Sequence, residues 1–155
     1  MLFKSNGKIL LCSEYLVLEG AKAIALPSKL TQDLQVTKCQ NEIIEWQSFD
    51  ENNDLWFEEK FYFNGNDLKY DSKKNKTSEK ILLLFKFLLE TKDLNDILGN
   101  KFLTKLNFKR EWGLGTSSTF VNNLAKWAKT DPYKLLFSAF NLSLIHISEP
   151  TRHRG

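Results

Sequence analysis

Histidine, cysteine and long apolar runs are scarce in this sequence, and each shortage excludes a class of function. The histidines are His146 and His153 alone, both near the C-terminus. Cys12 and Cys39 have neither CxxC spacing nor the density of a disulfide framework, so we expect two reduced, non-catalytic thiols. The longest apolar run, Ile81 to Phe85, is too short to span a bilayer, and the first residues lack a signal-peptide core. The sequence therefore predicts a soluble, cytoplasmic protein without a membrane partner.

Charge of one sign is not concentrated either. The chain has 155 residues, and its 22 lysines and arginines against 19 acidic residues give a net charge of +3. The densest like-charged stretch, Lys73, Lys74 and Lys76, predicts a solvated loop rather than a nucleic-acid-binding surface. A hydrophobic content of 42% is that of a globular protein. We expect one domain, or part of a larger one, that does not bind nucleic acid.

The composition changes abruptly at Leu142, from which the chain reads LSLIHISEPTRHRG. This string resembles one reading frame of a transposase-type sequencing adapter. We therefore interpret residues 142–155 as a non-native tail and residues 1–141 as the natural sequence, with a genuine basic tail as the alternative. Because both histidines lie in the tail, a catalytic or metal-binding histidine is not expected in residues 1–141.

The first half of the chain has the pattern of β-strands. Short apolar or alternating segments are separated by turn-forming residues, which is typical of a meander. Strands are predicted at residues 9–11, 15–18, 23–26, 34–36, 43–46, 55–57, 61–63 and 68–70. Pro27 is expected to stop the strand at 23–26. Asn64-Gly65-Asn66 is expected to form the turn of the last hairpin.

The second half is predicted to be mainly helical. Ser78 is expected to open a helix, SEKILLLFKFLLETK, whose apolar residues cover more than one face and predict deep burial. A short helix at 94–98 and a strand at 102–108 follow. The next helix is expected to end at Asp131-Pro132, which starts another. This order of elements predicts an α+β fold.

The stretch Gly113 to Ser118, read GLGTSS, lies between the predicted strand and helix and is the candidate ligand site. Its two glycines let the backbone approach a ligand and adopt positive φ. The hydroxyl residues Thr116, Ser117 and Ser118 supply hydrogen-bond donors and are expected to cap the helix. The exposed N–H groups and the dipole of a helix start favour an anion. Similar turns occur in proteins that bind nothing, so the loop alone leaves a phosphate role open.

Two common phosphate-binding patterns do not match the loop. The P-loop GxxxxGK[ST] does not occur, and the dinucleotide fingerprint GxGxxG has Ser118 where its third glycine belongs. GLGTSS and the earlier stretch SNGKILLCSEYLVLEGAKAIALP instead resemble the two N-terminal motifs of the GHMP kinases, the superfamily of galactokinase, homoserine kinase, mevalonate kinase and phosphomevalonate kinase. The resemblance covers residues 3–141 and is closest to a bacterial mevalonate-kinase-like subfamily named for a GYDIA motif, which this sequence does not contain.

The resemblance implies an ATP-dependent small-molecule kinase with a ribosomal protein S5 domain 2-like fold. ATP and Mg²⁺ are the implied cofactors, and a mevalonate-like alcohol or phosphate is the implied acceptor. Gly7-Lys8 matches the PGK motif, which carries a lysine near the reacting phosphate, so Lys8 is the expected catalytic residue. Glu14 and Tyr15 lie in the match to the GEY or GEH motif and are expected to bind the substrate.

The resemblance also implies functions for the residues of the glycine loop. In the family this loop wraps the triphosphate, and its second hydroxyl commonly binds magnesium; Ser117 holds that place. Six consecutive residues are expected to bind ATP. Five match the family loop and the sixth, Ser118, follows it: Gly113, Leu114, Gly115, Thr116, Ser117 and Ser118.

The motifs also depart from the family. Asn6 replaces the usual proline, Cys12-Ser13 replaces the usual X-Gly, and Arg110-Glu111-Trp112 lacks the proline and glycine that often precede the loop. In the family the general-base aspartate, a magnesium-binding carboxylate and a third glycine-rich motif lie beyond the helix that ends near Phe140. Residues 1–141 are therefore expected to be an incomplete N-terminal ATP-binding domain without activity. A non-catalytic binding module of the same S5-like fold is the alternative, and the oligomeric state is not predicted.

Overall fold

One mixed β-sheet, with helices packed on one of its faces, forms the framework of the chain. A computed structural model describes residues 1–12 and 20–137. The strands are β1 (Leu2–Cys12), β2 (Ile24–Lys38), β3 (Ile44–Phe49), β4 (Leu55–Asn64), β5 (Asp67–Tyr70) and β6 (Asn100–Leu106). The helices are α1 (Lys76–Thr91), α2 (Leu94–Ile97) and α3 (Thr116–Ala128), and residues 132–137 are also helical. The predicted α+β class is confirmed.

The strand that precedes the glycine loop lies in the middle of the sheet. The six strands have the order β1-β2-β6-β3-β4-β5, so that β6, the last in the chain, is inserted between β2 and β3. It runs antiparallel to β2 and parallel to β3. A parallel pair needs a crossover connection, which α1 and α2 supply. The insertion fixes the point at which the chain leaves the sheet toward Gly113.

An aromatic cluster joins this central strand to both long helices. Because side chains alternate along a strand, β3 and β6 each present one buried set toward the helices. Trp46 of β3 stacks on Phe102 of β6 with ring centroids 5.3 Å apart. Phe85 of α1 and Trp127 of α3 meet the Phe102 ring edge-on at 5.2 and 4.9 Å. Phe102 therefore contacts the sheet, α1 and α3 at once.

The buried helix α1 begins two residues before the predicted start at Ser78. Asn75 is its N-cap, and the Asn75 side chain accepts a hydrogen bond from the Ser78 N–H at 2.8 Å. Asparagine is among the best N-cap residues, so it begins the helix earlier than serine would. The predicted deep burial is confirmed, because Leu84, Phe85 and Leu88 are fully buried.

Two expectations about strands in the first half are wrong. Pro27 does not end a strand but lies within β2, opposite Lys8 of β1. Proline has no N–H to donate to a neighbouring strand. It is tolerated at this position because β6 pairs with β2 only from Gln32 onward, so no hydrogen bond to β6 is lost. The segments predicted at 55–57 and 61–63 form the single strand β4. The predicted hairpin turn is confirmed by the pairing of Asn64 with Asp67.

The second half follows the predicted order, although several boundaries are shifted by a few residues. The short helix is present as α2, and the strand as β6. The helix after the glycine loop ends at Ala128 rather than at Asp131, because Lys129 adopts a left-handed conformation with φ of 53°. Asp131 starts the next helical turn as predicted, since its carboxylate accepts the Tyr133 N–H at 2.8 Å. None of the helices in the described ranges is long and apolar enough to cross a membrane.

A buried carboxylate fastens the start of α1 to the sheet. Glu59 of β4 is 6% exposed and accepts hydrogen bonds from the hydroxyls of Ser72 and Ser78, the latter at 2.6 Å. The N–H groups of Lys60 and Ser72 also donate to it. Desolvation raises the pKa of Glu59, but these hydrogen bonds together lower it further than burial raises it, so the net pKa lies below the ordinary 4.5.

Because the pKa of Glu59 is lowered, we expect its contribution to the free energy of unfolding to be lost in acid. Since its folded-state pKa is depressed, the stabilisation is present above the unfolded value and is lost as the pH falls through the lower folded value. We expect Glu59→Gln to lower the free energy of unfolding at pH 7 by about 1–3 kcal/mol, the cost of disrupting a buried charged hydrogen-bond acceptor. Urea denaturation between pH 7 and pH 3 tests this, with the exposed neighbour Glu58→Gln as the control. Equal acid sensitivity in wild type and Glu59→Gln would contradict the assignment.

Candidate functional site

The corner between β1 and the glycine loop brings together residues that are far apart in sequence. The Lys8 N–H donates to the Leu114 carbonyl at 2.9 Å. A Cβ on Gly7 would lie 3.1 Å from Leu114 Cβ and 3.0 Å from Ser28 Oγ, so a larger residue would push these neighbours apart and the close approach favours glycine. Asn6, in the place of the family's usual proline, donates its side-chain amide to the Ser28 carbonyl at 2.8 Å. The first motif thus forms one wall of the loop.

The glycine loop has the backbone that its sequence predicts. Gly113 and Gly115 are both left-handed, with φ of 67° and 78°. Between them, Leu114 turns inward, is 8% exposed and packs beside Leu106 and Phe108. The two glycines therefore allow a tight loop whose apolar middle residue anchors it in a small core of its own.

The start of α3 leaves its first N–H groups without a side-chain cap. Gly115 is the N-cap, so the expectation that the hydroxyl residues cap the helix is wrong. The hydroxyls lie one position too late, inside the first turn that begins at Thr116. The first helical hydrogen bond runs from the Thr119 N–H to the Gly115 carbonyl at 3.0 Å. A helix start without a capping side chain is suited to an anion.

The side chain of Lys8 lies along this loop. A Cβ on Gly115 would be 3.3 Å from Lys8 Cε and 3.5 Å from Lys8 Cγ, so the lysine stem covers that glycine. Lys8 as a whole is exposed, as expected for a side chain that buries its stem and keeps its ammonium group in water. The two motifs that the sequence predicts to act together are therefore in contact.

One cavity opens on the Lys8 side of the α3 start and has a volume of about 270 Å³. Its described lining includes Lys8 and contains no carboxylate. Ser118 and Asn122, one helical turn apart on α3, contribute polar groups to it, and so does Tyr133, a residue that is 70% exposed. A polar lining with one cation suits an anionic, hydrogen-bonding ligand.

A second cavity of about 190 Å³ lies on the other side of the α3 start. Thr116 and Ser117 line it together with the rings of Trp46 and Trp56. Its cations are Lys80 and Arg110, and the described lining again contains no carboxylate. Because ligand cavities usually measure roughly 300–1,000 Å³, a nucleotide-sized ligand would extend beyond this one.

Buried hydrogen bonds hold α3 in place between the cavities. The Thr119 hydroxyl donates to Gln32 Oε1 at 2.5 Å, and the Asn123 amide donates to the Gln32 carbonyl at 2.7 Å. The Ser5 hydroxyl donates to Asn123 Oδ1 at 2.7 Å. Since all four residues are buried, breaking one bond would leave an unsatisfied polar group. The network fixes the helix start against β1 and β2.

The predicted site residues have different outcomes. Lys8 and the loop from Gly113 to Ser118 are brought together by the fold. Glu14 and Tyr15, the expected substrate-binding residues, lie outside the described residues, as does the predicted boundary at Leu142. The substrate-binding roles of Glu14 and Tyr15 and the boundary at Leu142 stay predictions.

The sequence reasoning missed most residues that line the two cavities, among them Asn122, Tyr133, Trp56 and Arg110. Asn122 could have been found, because it lies one helical turn after Ser118 and shares its face. Tyr133 and Trp56 carry no comparable signal, because only the tertiary fold places them beside the loop, whereas Arg110 precedes Gly113 by three residues in the sequence.

The described residues contain no ready-made metal-binding cluster. They contain no group of three or more histidine, cysteine, aspartate or glutamate side chains that could hold a metal. Ser117 is exposed in the first turn of α3. Magnesium prefers oxygen ligands, retains several waters and is often bound through substrate phosphates, so a single serine fits as one ligand among several.

Solved structures of known enzymes share this fold. A crystal structure of mevalonate kinase is 14% identical, with a TM-score of 0.63, and the match covers 93% of this chain and 47% of that one. The mevalonate kinase of Methanococcus jannaschii is 16% identical, with a TM-score of 0.61 and coverages of 91% and 46%. A mevalonate diphosphate decarboxylase from Legionella pneumophila is 14% identical, with a TM-score of 0.52 and coverages of 89% and 40%. The predicted GHMP-kinase type of fold is confirmed.

The likeness is one of structure. No protein-family model matches the sequence, and no curated protein matches it either. The chain spans about half the length of the solved chains that it resembles. Two of the three named enzymes are kinases and one is a decarboxylase, so the shared fold alone leaves the reaction open.

Proposed function

We propose that this chain carries the nucleotide-phosphate site of a GHMP-type small-molecule kinase. The observation that carries the proposal is the packing of Lys8 against Gly115, which puts a cation beside an uncapped helix start. Neither feature alone is specific, because exposed lysines and glycine turns are common. Their contact is what the two-motif resemblance requires, and the resemblance to kinase structures supports it.

The proposed reaction transfers the γ-phosphoryl group of ATP to a mevalonate-like alcohol or phosphate. An acceptor oxygen forms a bond to the γ-phosphorus, the bond from that phosphorus to the bridging oxygen breaks, and ADP leaves. Such transfers depend mainly on positioning and on charge stabilisation. The N–H groups at the start of α3 would hold phosphate oxygens, and Lys8 would offset charge on the transferred group.

Two further roles complete the proposal. Ser117 would contribute one hydroxyl ligand to Mg²⁺, which when bound would screen the charge of the phosphates. The proton of an acceptor alcohol would need a base, and the described lining of the two cavities contains no carboxylate. We therefore assign to these residues the binding of MgATP rather than the removal of the acceptor's proton.

Lys8→Ala tests the phosphate site directly. We expect its affinity for MgATP to fall about tenfold or more, because a hydrogen bond to a charged group is worth roughly 1.5–3 kcal/mol. Its thermal midpoint should stay close to the wild-type value, since Lys8 is exposed. Isothermal titration calorimetry measures the affinity, and rising salt should weaken wild type more than the variant.

Lys69→Ala is the matched control, since Lys69 is an exposed lysine on β5, at the far edge of the sheet from β1. It should bind MgATP as wild type does. Equal binding by Lys8→Ala and Lys69→Ala would remove Lys8 from the site, and no binding by wild type would refute the proposed function.

A further inference from the structure

The glycine loop is held at two ends by different means. Its second residue, Leu114, is buried, and the Leu114 carbonyl accepts a hydrogen bond from the Lys8 N–H. Its first half follows a short 3₁₀ turn, Arg110–Trp112, closed by a hydrogen bond from the Trp112 N–H to the Lys109 carbonyl at 3.1 Å. None of the three residues of this turn is buried. The turn that leads into the loop therefore has no buried side chain of its own to hold it.

A cation–π stack supplies that second anchor. The guanidinium carbon of Arg110 lies 3.7 Å from the centroid of the Trp56 ring. Trp56 is the extra residue of an irregularity in the β3–β4 ladder, since Ser48 pairs with Phe57 and Phe49 pairs with Leu55. Such bulges re-aim side chains and are frequent beside functional sites. The bulge thus turns an indole of β4 toward the start of the glycine loop.

The indole has no hydrogen bond that would orient it. In residues 1–12 and 20–137, Trp56 Nε1 is the one buried side-chain nitrogen or oxygen without a partner. Since no polar contact orients the ring, its position depends on apolar and cation–π contacts, which include the Arg110 stack and the Phe57 ring at a centroid distance of 5.8 Å. Both residues line the same cavity as Thr116 and Ser117.

We propose that Arg110 is a positioning residue of the glycine loop and acts through its stack on Trp56. The stack ties the 3₁₀ turn to β4, which sets the path of the chain into Gly113 and so the direction of the N–H groups at the start of α3. Where the GHMP kinases often have proline and glycine before the loop, this chain uses an arginine held on a tryptophan. Only the expected effect of Arg110 on ATP binding rests on the proposed function; the positioning of the loop does not.

Hydrogen exchange without ligand tests the positioning role by itself. We expect faster amide exchange in a peptide covering residues 107–119 for Arg110→Ala and for Trp56→Leu, with exchange in α1 unchanged. Because the two changes remove one contact, the double variant should exchange no faster than either single variant. Arg110→Lys should restore part of the protection, since a lysine ammonium can still make a cation–π contact with the indole but lacks the planar stacking surface of a guanidinium. Lys109→Ala is the control and should behave as wild type.

MgATP binding provides the second measurement. Arg110→Ala and Trp56→Leu should each weaken binding about two- to fivefold, the size of a partly exposed cation–π contact, and again without additivity. Wild-type exchange in Arg110→Ala, or losses that add in the double variant, would overturn the inference. Weaker binding with unchanged exchange would also overturn it, because Arg110 would then act on the ligand directly. If wild type binds no MgATP, the proposed function fails, and the exchange result alone decides the positioning role.

Discussion

Replacing Gly115 with valine is expected to weaken MgATP binding by at least tenfold. Gly115 has φ of 78°, a conformation that costs a non-glycine residue roughly 1–2 kcal/mol and a β-branched one more. The added Cβ would also lie 3.3 Å from Lys8 Cε, so the lysine stem would have to move away from the loop. Strain and displacement act on the same two groups that we propose to hold the phosphates. Calorimetric titration of MgATP measures the loss.

Gly65→Val is a matched control for this experiment. Gly65 lies in the β4–β5 turn, has φ of 64°, and has no atom within 4 Å of the place a Cβ would take. The Gly65→Val substitution therefore imposes similar backbone strain far from the glycine loop. Gly65→Val should lower the thermal midpoint but leave MgATP affinity unchanged. Unchanged binding by Gly115→Val would exclude this glycine from the phosphate site.

Phe102→Ala is expected to have the largest effect on stability. The Phe102 side chain is fully buried and contacts Trp46, Phe85 and Trp127. Removing a buried phenylalanine costs about 3–5 kcal/mol through lost burial and the cavity left behind. Since a domain is stable by only about 5–15 kcal/mol, this loss would remove a large fraction of the total stability. Urea denaturation followed by circular dichroism measures the change.

The neighbouring residue on β6 is the control for that change. Leu103 points away from the helices and is only half-buried, so Leu103→Ala should cost about 1 kcal/mol. A larger cost for Leu103→Ala than for Phe102→Ala would mean that the buried face of β6 is assigned wrongly.

The sequence predicts those elements whose local pattern and tertiary environment agree. α1 combines a strong apolar pattern with a polar start, and the hairpin at Gly65 carries its own turn residues. The loop glycines at 113 and 115 were predicted to allow positive φ, and they adopt it. The contact of Lys8 with the loop was anticipated from paired motifs rather than from local chemistry.

The rest could not be predicted because it depends on neighbours distant in sequence. Whether Pro27 interrupts a strand depends on where β6 stops pairing with β2, which the residues around Pro27 do not show. The N-cap of α3 falls on Gly115 rather than on a hydroxyl, because the loop must turn at that glycine. Trp56 and Arg110 meet only because of a bulge in β4.

Chemical-shift mapping tests the central claim most directly. The claim is that the start of α3 and Lys8 together form the phosphate site. A ¹⁵N-labelled sample titrated with MgATP should show saturable amide shifts that are largest at Lys8 and at residues 113–118. Shifts concentrated elsewhere, for example in the β4–β5 hairpin, or no saturable shift at all, would contradict the account.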